Sequence, residues 1–131
     1  MLKAKDIMTS QALSVTPDTP ISIAVKLLAI RKISGLPVVD CENNLVGVVS
    51  EKDLLGILLN EETAEDKTVS EFMTREVSSF STEDSVDSIC QFLLGHNFRR
   101  VPIVEGGKLK GLISRADIIT HIWRTRFGKE A

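Results

Sequence analysis

Two short segments of this 131-residue chain carry the residue types that could do chemistry. Ser50 and Asp53 stand three positions apart ahead of an apolar run, and Ser114 and Asp117 repeat the spacing. A serine followed three residues later by an acid is a helix-start pattern. The hydroxyl accepts an amide N–H of the first turn, and the carboxylate reaches back to the cap. The same groups could serve a ligand. An ionised carboxylate only accepts hydrogen bonds, so its two oxygens can hold both hydroxyls of a vicinal diol. A serine hydroxyl and the free amides of a helix N-terminus suit a phosphate. The two uses are compatible, and the local pattern leaves both open.

Little else has reactive spacing. His96 and His121 have no cysteine, aspartate or second histidine at metal or triad spacing, so they read as surface residues. Cys41 and Cys90 form no C-x-x-C or Cys/His cluster; they read as a turn thiol and a helix-face thiol of a protein in the reducing cytoplasm. No nucleophile–base pair or metal set emerges, so the expectation is a protein that is not an enzyme and has no obligatory cofactor. The basic tail, Arg124, Arg126 and Lys129, complements a helix dipole as readily as it binds a partner. A net charge of −2 gives no field to recruit nucleic acid. The longest apolar stretches, such as Leu54 to Leu59, are too short to cross a bilayer, and no apolar region follows the first lysines as in a signal peptide. At 43% hydrophobic and 26% charged residues the balance is that of a soluble globular chain, and 5% aromatics imply an aliphatic core.

The elements that must position the two Ser/Asp pairs come from an internal repeat. Ile7-Met8-Thr9 recurs as Phe72-Met73-Thr74, and the same offset pairs Ser14 with Ser79, Leu28 with Leu93, Pro37 with Pro102 and Val39 with Val104. One residue is then lost in the second copy's turn, after which Leu45 pairs with Leu109, Gly47 with Gly111, Ser50 with Ser114 and Asp53 with Asp117. Each copy begins with an extended segment, Ala12 to Thr16 or Val77 to Ser81. A helix follows. In the first copy Thr19 is the expected N-cap and Pro20 the first helical residue, with Ile21, Ala24, Val25 and Leu28 on one face. In the second, Val86, Ile89, Cys90 and Leu93 form the same stripe, and Gly95 ends it. Two apolar runs joined by a turn come next: Leu36 to Val39 and Leu45 to Val49, then Val101 to Val104 and Leu109 to Ile113. A second helix runs from Glu51 to about Leu59, and from Arg115 to about Phe127. The predicted organisation is repeat one over residues 4–60, a polar linker over 61–68, repeat two over 69–124 and a tail over 125–131. A repeat of about 60 residues buries too little surface to be comfortable alone, so two are expected to pack together.

The ordered set Leu36-Pro37-Val38-Val39-Asp40, turn, Gly47-Val48-Val49-Ser50-Glu51-Lys52-Asp53 resembles a cystathionine-β-synthase-type (CBS) domain. Val101-Pro102-Ile103-Val104-Glu105 with Gly111-Leu112-Ile113-Ser114-Arg115-Ala116-Asp117 resembles a second. The resemblance implies an α+β fold, a CBS pair of pseudo-symmetric β-α-β-β-α repeats packed sheet to sheet. It also implies two clefts that commonly take adenosyl compounds: AMP, ADP, ATP or S-adenosylmethionine.

On that reading the first cleft combines Val48, Ser50, Lys52 and Asp53 with Val77, Ser78, Phe98, Arg99 and Arg100. Val48, Val77 and Phe98 would sandwich a flat base, Asp53 would hold the ribose hydroxyls, and Lys52 with the arginines would face phosphate. Adjacent strand residues point to opposite faces, so one of Arg99 and Arg100 is expected outside the cleft. The second combines Leu112, Ser114 and Asp117 with Met8, Gln11, Leu13, Ile33, Ser34 and Gly35; lacking a cation, it suits a base and a ribose better than a phosphate. The function this implies is a stand-alone regulatory module that senses an adenine nucleotide, AMP first, and modulates a partner protein in trans. The alternative is a ligand-free assembly module. Leu27 and Ile30, off the helix stripe, and Leu54, Leu55, Ile57, Leu58 and Leu59, all round a short helix, leave apolar surface to cover. With the resemblance, this predicts a homodimer, to which Trp123 could contribute.

Overall fold

The computed structural model describes residues 1–59 and 65–128. In chain order the elements are α1 (Ala4–Ile7), β1 (Thr9–Ser10), α2 (Ile21–Arg31), β2 (Gly35–Val39), β3 (Leu45–Ser50), α3 (Glu51–Leu54) and a 3₁₀ turn (Leu55–Ile57). A second 3₁₀ turn (Val69–Glu71) is followed by β4 (Phe80–Ser81), α4 (Val86–Gly95), β5 (Arg100–Glu105), β6 (Lys108–Ser114), α5 (Arg115–Ile122) and a π-helical turn (Trp123–Gly128). The class is α+β. The first half of the expected linker, 61–64, with the last residue of repeat one, Asn60, and the end of the tail, 129–131 with Lys129, lie outside the described residues.

The compact units are not the sequence repeats. One is Leu13–Val77; the other joins Met1–Ala12 to Ser78–Ala131. Each therefore consists of the body of one repeat and the opening Met-Thr segment of the other.

In the unit of residues 13–77, β2 and β3 form an antiparallel hairpin with a bulge between Val38 and Val39. β2 is buried along its whole length, and its Leu36 and Val38 meet Ile21, Ala24 and Leu28 of α2 in an aliphatic core. Asp40 makes the hairpin turn: its Oδ1 accepts the amides of Glu42 and Asn44, each at 2.9 Å, while Asn43 takes φ 66°. Of the expected extended segment Ala12–Thr16, only Val15 joins the sheet, as a parallel bridge to Val38. The opening segment of repeat two closes the unit: Val69 is fully buried in this core, and Thr74 bridges antiparallel to Val48.

In the other unit the order is β1-β6-β5-β4, with β4 parallel to β5 and the other pairs antiparallel. The bulge recurs at the equivalent place, between Ile103 and Val104. Glu105 pairs with Lys108 across Gly106 and Gly107, whose φ values of 58° and 81° are the left-handed pair that a two-residue hairpin turn requires. Ile89 and Leu93 of α4 pack on Val101, Ile103 and Ile113. The chain's opening segment completes this core: Ala4 is fully buried, its N–H donates to the Asp84 carbonyl at 2.8 Å, and the Val86 N–H donates back to Leu2.

Three local expectations need correction. The α2 cap is Pro20, not Thr19; the Thr19 hydroxyl accepts the Thr16 amide at 3.0 Å, and the Ile21 amide finds the Lys67 carbonyl instead. A proline N-cap works here because another backbone segment satisfies the helix start. Val25 lies outside the buried stripe at 40% exposure. The helix expected over Glu51 to about Leu59 is also shorter: α3 has four residues before tightening into a 3₁₀ turn that contains Gly56, whereas the one expected from Arg115 to about Phe127 is present, its last part π-helical from Trp123.

Candidate functional site

The Ser/Asp pairs are true helix caps, and the caps belong to larger constellations. Ser50 is extended at φ −119°, ψ 168°, and its Oγ accepts the Asp53 amide at 3.4 Å. Asp53 Oδ2 accepts the Ser50 amide at 2.8 Å and the Ser50 hydroxyl at 3.0 Å. The other oxygen, Oδ1, accepts the hydroxyl of Thr74 at 3.1 Å. In the second unit the Asp117 amide donates to Ser114 Oγ at 3.1 Å, Asp117 Oδ2 accepts the Ser114 amide at 2.8 Å, and Oδ1 accepts the Thr9 hydroxyl at 3.3 Å. Each aspartate is thus held by its own cap on one oxygen and by the opening segment of the other repeat on the other.

Two glycines make this approach possible. A β-carbon at Gly111 would stand 2.6 Å from the Thr9 carbonyl oxygen and 2.9 Å from Met8 Sδ. At Gly47 it would stand 2.7 Å from the Thr74 oxygen and 3.2 Å from Met73 Cε. Thr9 and Thr74 are members of the two constellations that the sequence pattern alone did not single out. Their signal was visible as the repeated Met-Thr pair, a marker of register to which no role was given.

Within the unit of residues 13–77 lie Val48, Ser50, Lys52, Asp53 and Val77 of the first expected group, and Leu13, Ile33, Ser34 and Gly35 of the second. Gly35 faces Ser50 across the hairpin, and the Glu51 amide donates to the Ser34 carbonyl at 2.9 Å. Within the other unit lie Met8, Gln11, Leu112, Ser114 and Asp117, together with Ser78, Phe98, Arg99 and Arg100. Arg100 faces Ser114, and the Arg115 amide donates to the Arg99 carbonyl at 2.9 Å. The same edge of each hairpin therefore carries a cap and the residue two before the repeated proline, Gly35 in one and Arg100 in the other.

Among the described residues, Arg100 Nε is the buried side-chain nitrogen without a hydrogen-bond partner. Burying a guanidinium donor unpaired is costly, so this atom is suited to an incoming acceptor. Lys52 is exposed. Phe98 is half-exposed and lies parallel to Phe92, with centroids 5.8 Å apart; Phe92 in turn stacks on His96 at 4.0 Å. An aromatic ring with one backed side and half its surface open can stack a planar group. His96 Nδ1 faces the Phe92 carbonyl at 2.9 Å, a local role in keeping with a surface residue. No group of three or more metal-ligating side chains occurs among the described residues, and no described helix is long and apolar enough to cross a membrane.

Two hairpin units, each with a capped aspartate after a Gly-h-h-Ser strand (h, hydrophobic), define a paired repeat module. The model of the CBS domain matches residues 4–60 and 69–124, and the chain belongs to that family. It is similar to CBSX2, solved in complex with AMP, at 31% identity, with 95% of this chain and 98% of that one covered and a TM-score of 0.84. CBSX2 from Arabidopsis thaliana solved as a CBS-pair protein gives 30% identity, 94% and 95% coverage and a TM-score of 0.85. An uncharacterised 17.7 kDa protein of Acidianus ambivalens is 29% identical over 98% of this chain and 80% of its own length. The inosine-5'-monophosphate dehydrogenase of Aquifex aeolicus is 36% identical over 89% of this chain, but only 24% of that enzyme is covered.

Proposed function

We propose that this CBS pair is a regulatory module that binds an adenosine-containing ligand, AMP first, and passes the bound state to a partner protein in the cytoplasm without catalysing a reaction. The observation that carries this reading is the AMP complex of a protein 31% identical over nearly the whole of both chains. The site chemistry agrees. Asp53 and Asp117 each keep lone pairs that their caps do not use. A carboxylate offers about four acceptor positions. Asp117 uses one on each oxygen, and Asp53 uses two on Oδ2 and one on Oδ1. Ribose hydroxyls can fill the remainder. On the family resemblance, Phe98 would offer a face to the base, and Lys52 with one of Arg99 and Arg100 would supply the cations for phosphate. The other members of each expected group, Val48, Ser50, Val77 and Ser78, then Met8, Gln11, Leu13, Ile33, Ser34, Gly35, Leu112 and Ser114, are proposed as contacts on the family resemblance. ADP, ATP and S-adenosylmethionine are the competing ligands, and a homodimer is the proposed working form.

The Asp53 group is proposed to bind AMP more tightly than the Asp117 group, because the grouping that the family resemblance implies assigns it the cations. A hydrogen bond to a charged group contributes about 1.5–3 kcal/mol, and each 1.4 kcal/mol is about tenfold in affinity. Calorimetry with AMP tests both levels. Asp53→Ala should abolish the tighter phase and Asp117→Ala should leave it, with the difference shrinking as salt rises. Equal losses would refute the asymmetry. A thermal-shift panel in which AMP, ADP, ATP and S-adenosylmethionine all leave the midpoint unmoved would refute adenosine sensing in favour of an assembly module.

A further inference from the structure

The opening segment of each repeat is held on its unit by the same backbone clamp. The Ala4 N–H donates to the Asp84 carbonyl at 2.8 Å, the Lys5 N–H to Thr82 at 3.1 Å, and the Val86 N–H back to Leu2 at 3.0 Å. In the unit of residues 13–77, Val69 donates to Thr19 at 2.9 Å, Ser70 to Pro17 at 3.0 Å, and Ile21 back to Lys67 at 3.0 Å. Each of these residues is the other's counterpart in the repeat register, so the backbone contributions cancel in a comparison. The apolar anchors do not. Fully buried Ala4 stands where the other clamp has the larger, fully buried Val69, and half-buried Ile7 stands where it has half-buried Phe72. Less apolar area is therefore removed from water by the segment of residues 1–10. Gln11, which follows it, takes φ 56°, a left-handed conformation unfavourable for a residue with a β-carbon; its counterpart Glu76 has no positive φ. In compensation the segment has one more strand pair, Ser10 with Gly111, and the Lys3 and Lys5 ion pairs to Glu83. Those ion pairs are exposed, and exposed pairs contribute little. The hydroxyl bond at its end is the longer of the two, 3.3 Å for Thr9 to Asp117 against 3.1 Å for Thr74 to Asp53.

We propose that residues 2–10 form a releasable strap. It opens about Gln11 while the sheets stay folded, and the matching segment of repeat two stays docked. Release takes the Thr9 hydroxyl off Asp117, which keeps its cap bond on Oδ2 and loses the bond that fixes Oδ1. A diol held by Asp117 therefore favours the docked strap, and the docked strap favours the diol, because a coupling of this kind is reciprocal. The strap is thus the element through which occupation of this aspartate changes the surface of the protein. The coupling rests on the adenosine reading above; the release of the strap does not.

The test is amide hydrogen exchange by NMR on the whole chain, read as protection factors. Without ligand, Ala4, Lys5 and Val86 should be protected roughly tenfold less than Val69, Ser70 and Ile21, the fold-change expected from the two extra carbons of valine. Equal protection of the two sets, or stronger protection of the first, overturns the strap. Ala4→Gly, which removes the buried methyl group, should speed exchange at Lys5 and Val86 by up to about tenfold and leave Ser70 and Ile21 unchanged. Acceleration of both sets alike overturns local release. Gln11→Val, β-branched and less tolerant of the left-handed turn, should speed the same amides several-fold. An effect no larger than that of Glu76→Val overturns the hinge. Saturating AMP should slow exchange at Ala4, Lys5 and Val86 several-fold. AMP that binds by calorimetry and leaves these amides unchanged overturns the coupling. If AMP does not bind, the adenosine reading fails and the coupling with it, while the exchange without ligand still decides the strap.

Discussion

Gly111→Ala should loosen the N-terminal segment from the sheet it completes. The new methyl group would lie 2.6 Å from the Thr9 carbonyl oxygen, against an ordinary contact of 3.4 Å or more. The neighbouring Met8 tip, at 2.9 Å, can swing aside; the carbonyl cannot, because Thr9 and Ser10 are paired with Leu112 and Gly111 on β6. Strand β1 must therefore move outward, and the Thr9 hydroxyl, already 3.3 Å from Asp117, must move with it. Overpacking of this kind costs about 1–3 kcal/mol, and the weakened hydrogen bond adds about 0.5–1. Against this, removing glycine's freedom in the unfolded chain returns about 0.4–1 kcal/mol. The expected net loss is about 1–3 kcal/mol, or roughly 3–10 °C in the melting midpoint of a chain of this size. Gly95→Ala is the control, since nothing lies within 4 Å of its added carbon and it closes α4; it should be neutral or stabilising by up to about 1 kcal/mol. Urea and thermal unfolding of both variants decide the matter. Gly111→Ala as stable as wild type would refute the claim that backbone approach, and not chance, places glycine there.

Ser114→Ala should cost about 1 kcal/mol in urea unfolding through loss of the α5 cap, and a variant of unchanged stability would show that solvent replaces it. Ile89→Ala, at a fully buried position of the core, should cost about 2–5 kcal/mol by the same measurement. Glu83 receives Lys3 at 2.7 Å and Lys5 at 2.9 Å, whose hydrogen bonds lower its pKa from 4.5 to about 2. A carboxylate depressed on folding stabilises the fold above its unfolded value and loses that contribution as pH falls from about 4.5 toward about 2. NMR titration of Glu83 should therefore give a midpoint well below the usual carboxylate range, and Lys3→Ala should raise it.

The periodicity of the chain made the elements legible because the repeat doubled every signal. The pairs Leu28 with Leu93 and Gly47 with Gly111 supported one register, and the hairpins, the bodies of the helices and both caps lie where that register put them. What stayed hidden was set by contacts far apart in the chain. Nothing around Thr19 reveals that the Lys67 carbonyl will receive the Ile21 amide and so shift the cap to Pro20. Nothing in an alternating run tells that Ala12 to Thr16 will give the sheet a single residue, Val15. Local patterns report what a segment can do; these features depend on which distant segment arrives first at a free amide or carbonyl.

The same distinction explains the site. Serine and aspartate three apart announce a cap from sequence alone, since the cap is completed within four residues. Thr9 and Thr74 act across gaps of 108 and 21 residues, and neither has a local pattern that distinguishes a donor to a carboxylate from a surface threonine. The repeat nevertheless held the clue in a different form. Met-Thr and the glycine of Gly-h-h-Ser recur together, and the structure gives the reason: the glycine clears the space into which the Met-Thr backbone comes, and the threonine then reaches the aspartate. Paired recurrence of a small residue and a polar residue distant in sequence therefore carries contact information that neither carries alone. The consequence for function lies in the donors. An aspartate already oriented on both oxygens by serine and threonine cannot swing to meet a diol, so its unused lone pairs are presented in fixed directions. A preoriented acceptor loses less side-chain entropy on binding than a mobile one. On the proposed reading, this preorientation would favour a ligand that supplies two adjacent hydroxyls over one that supplies a single hydroxyl.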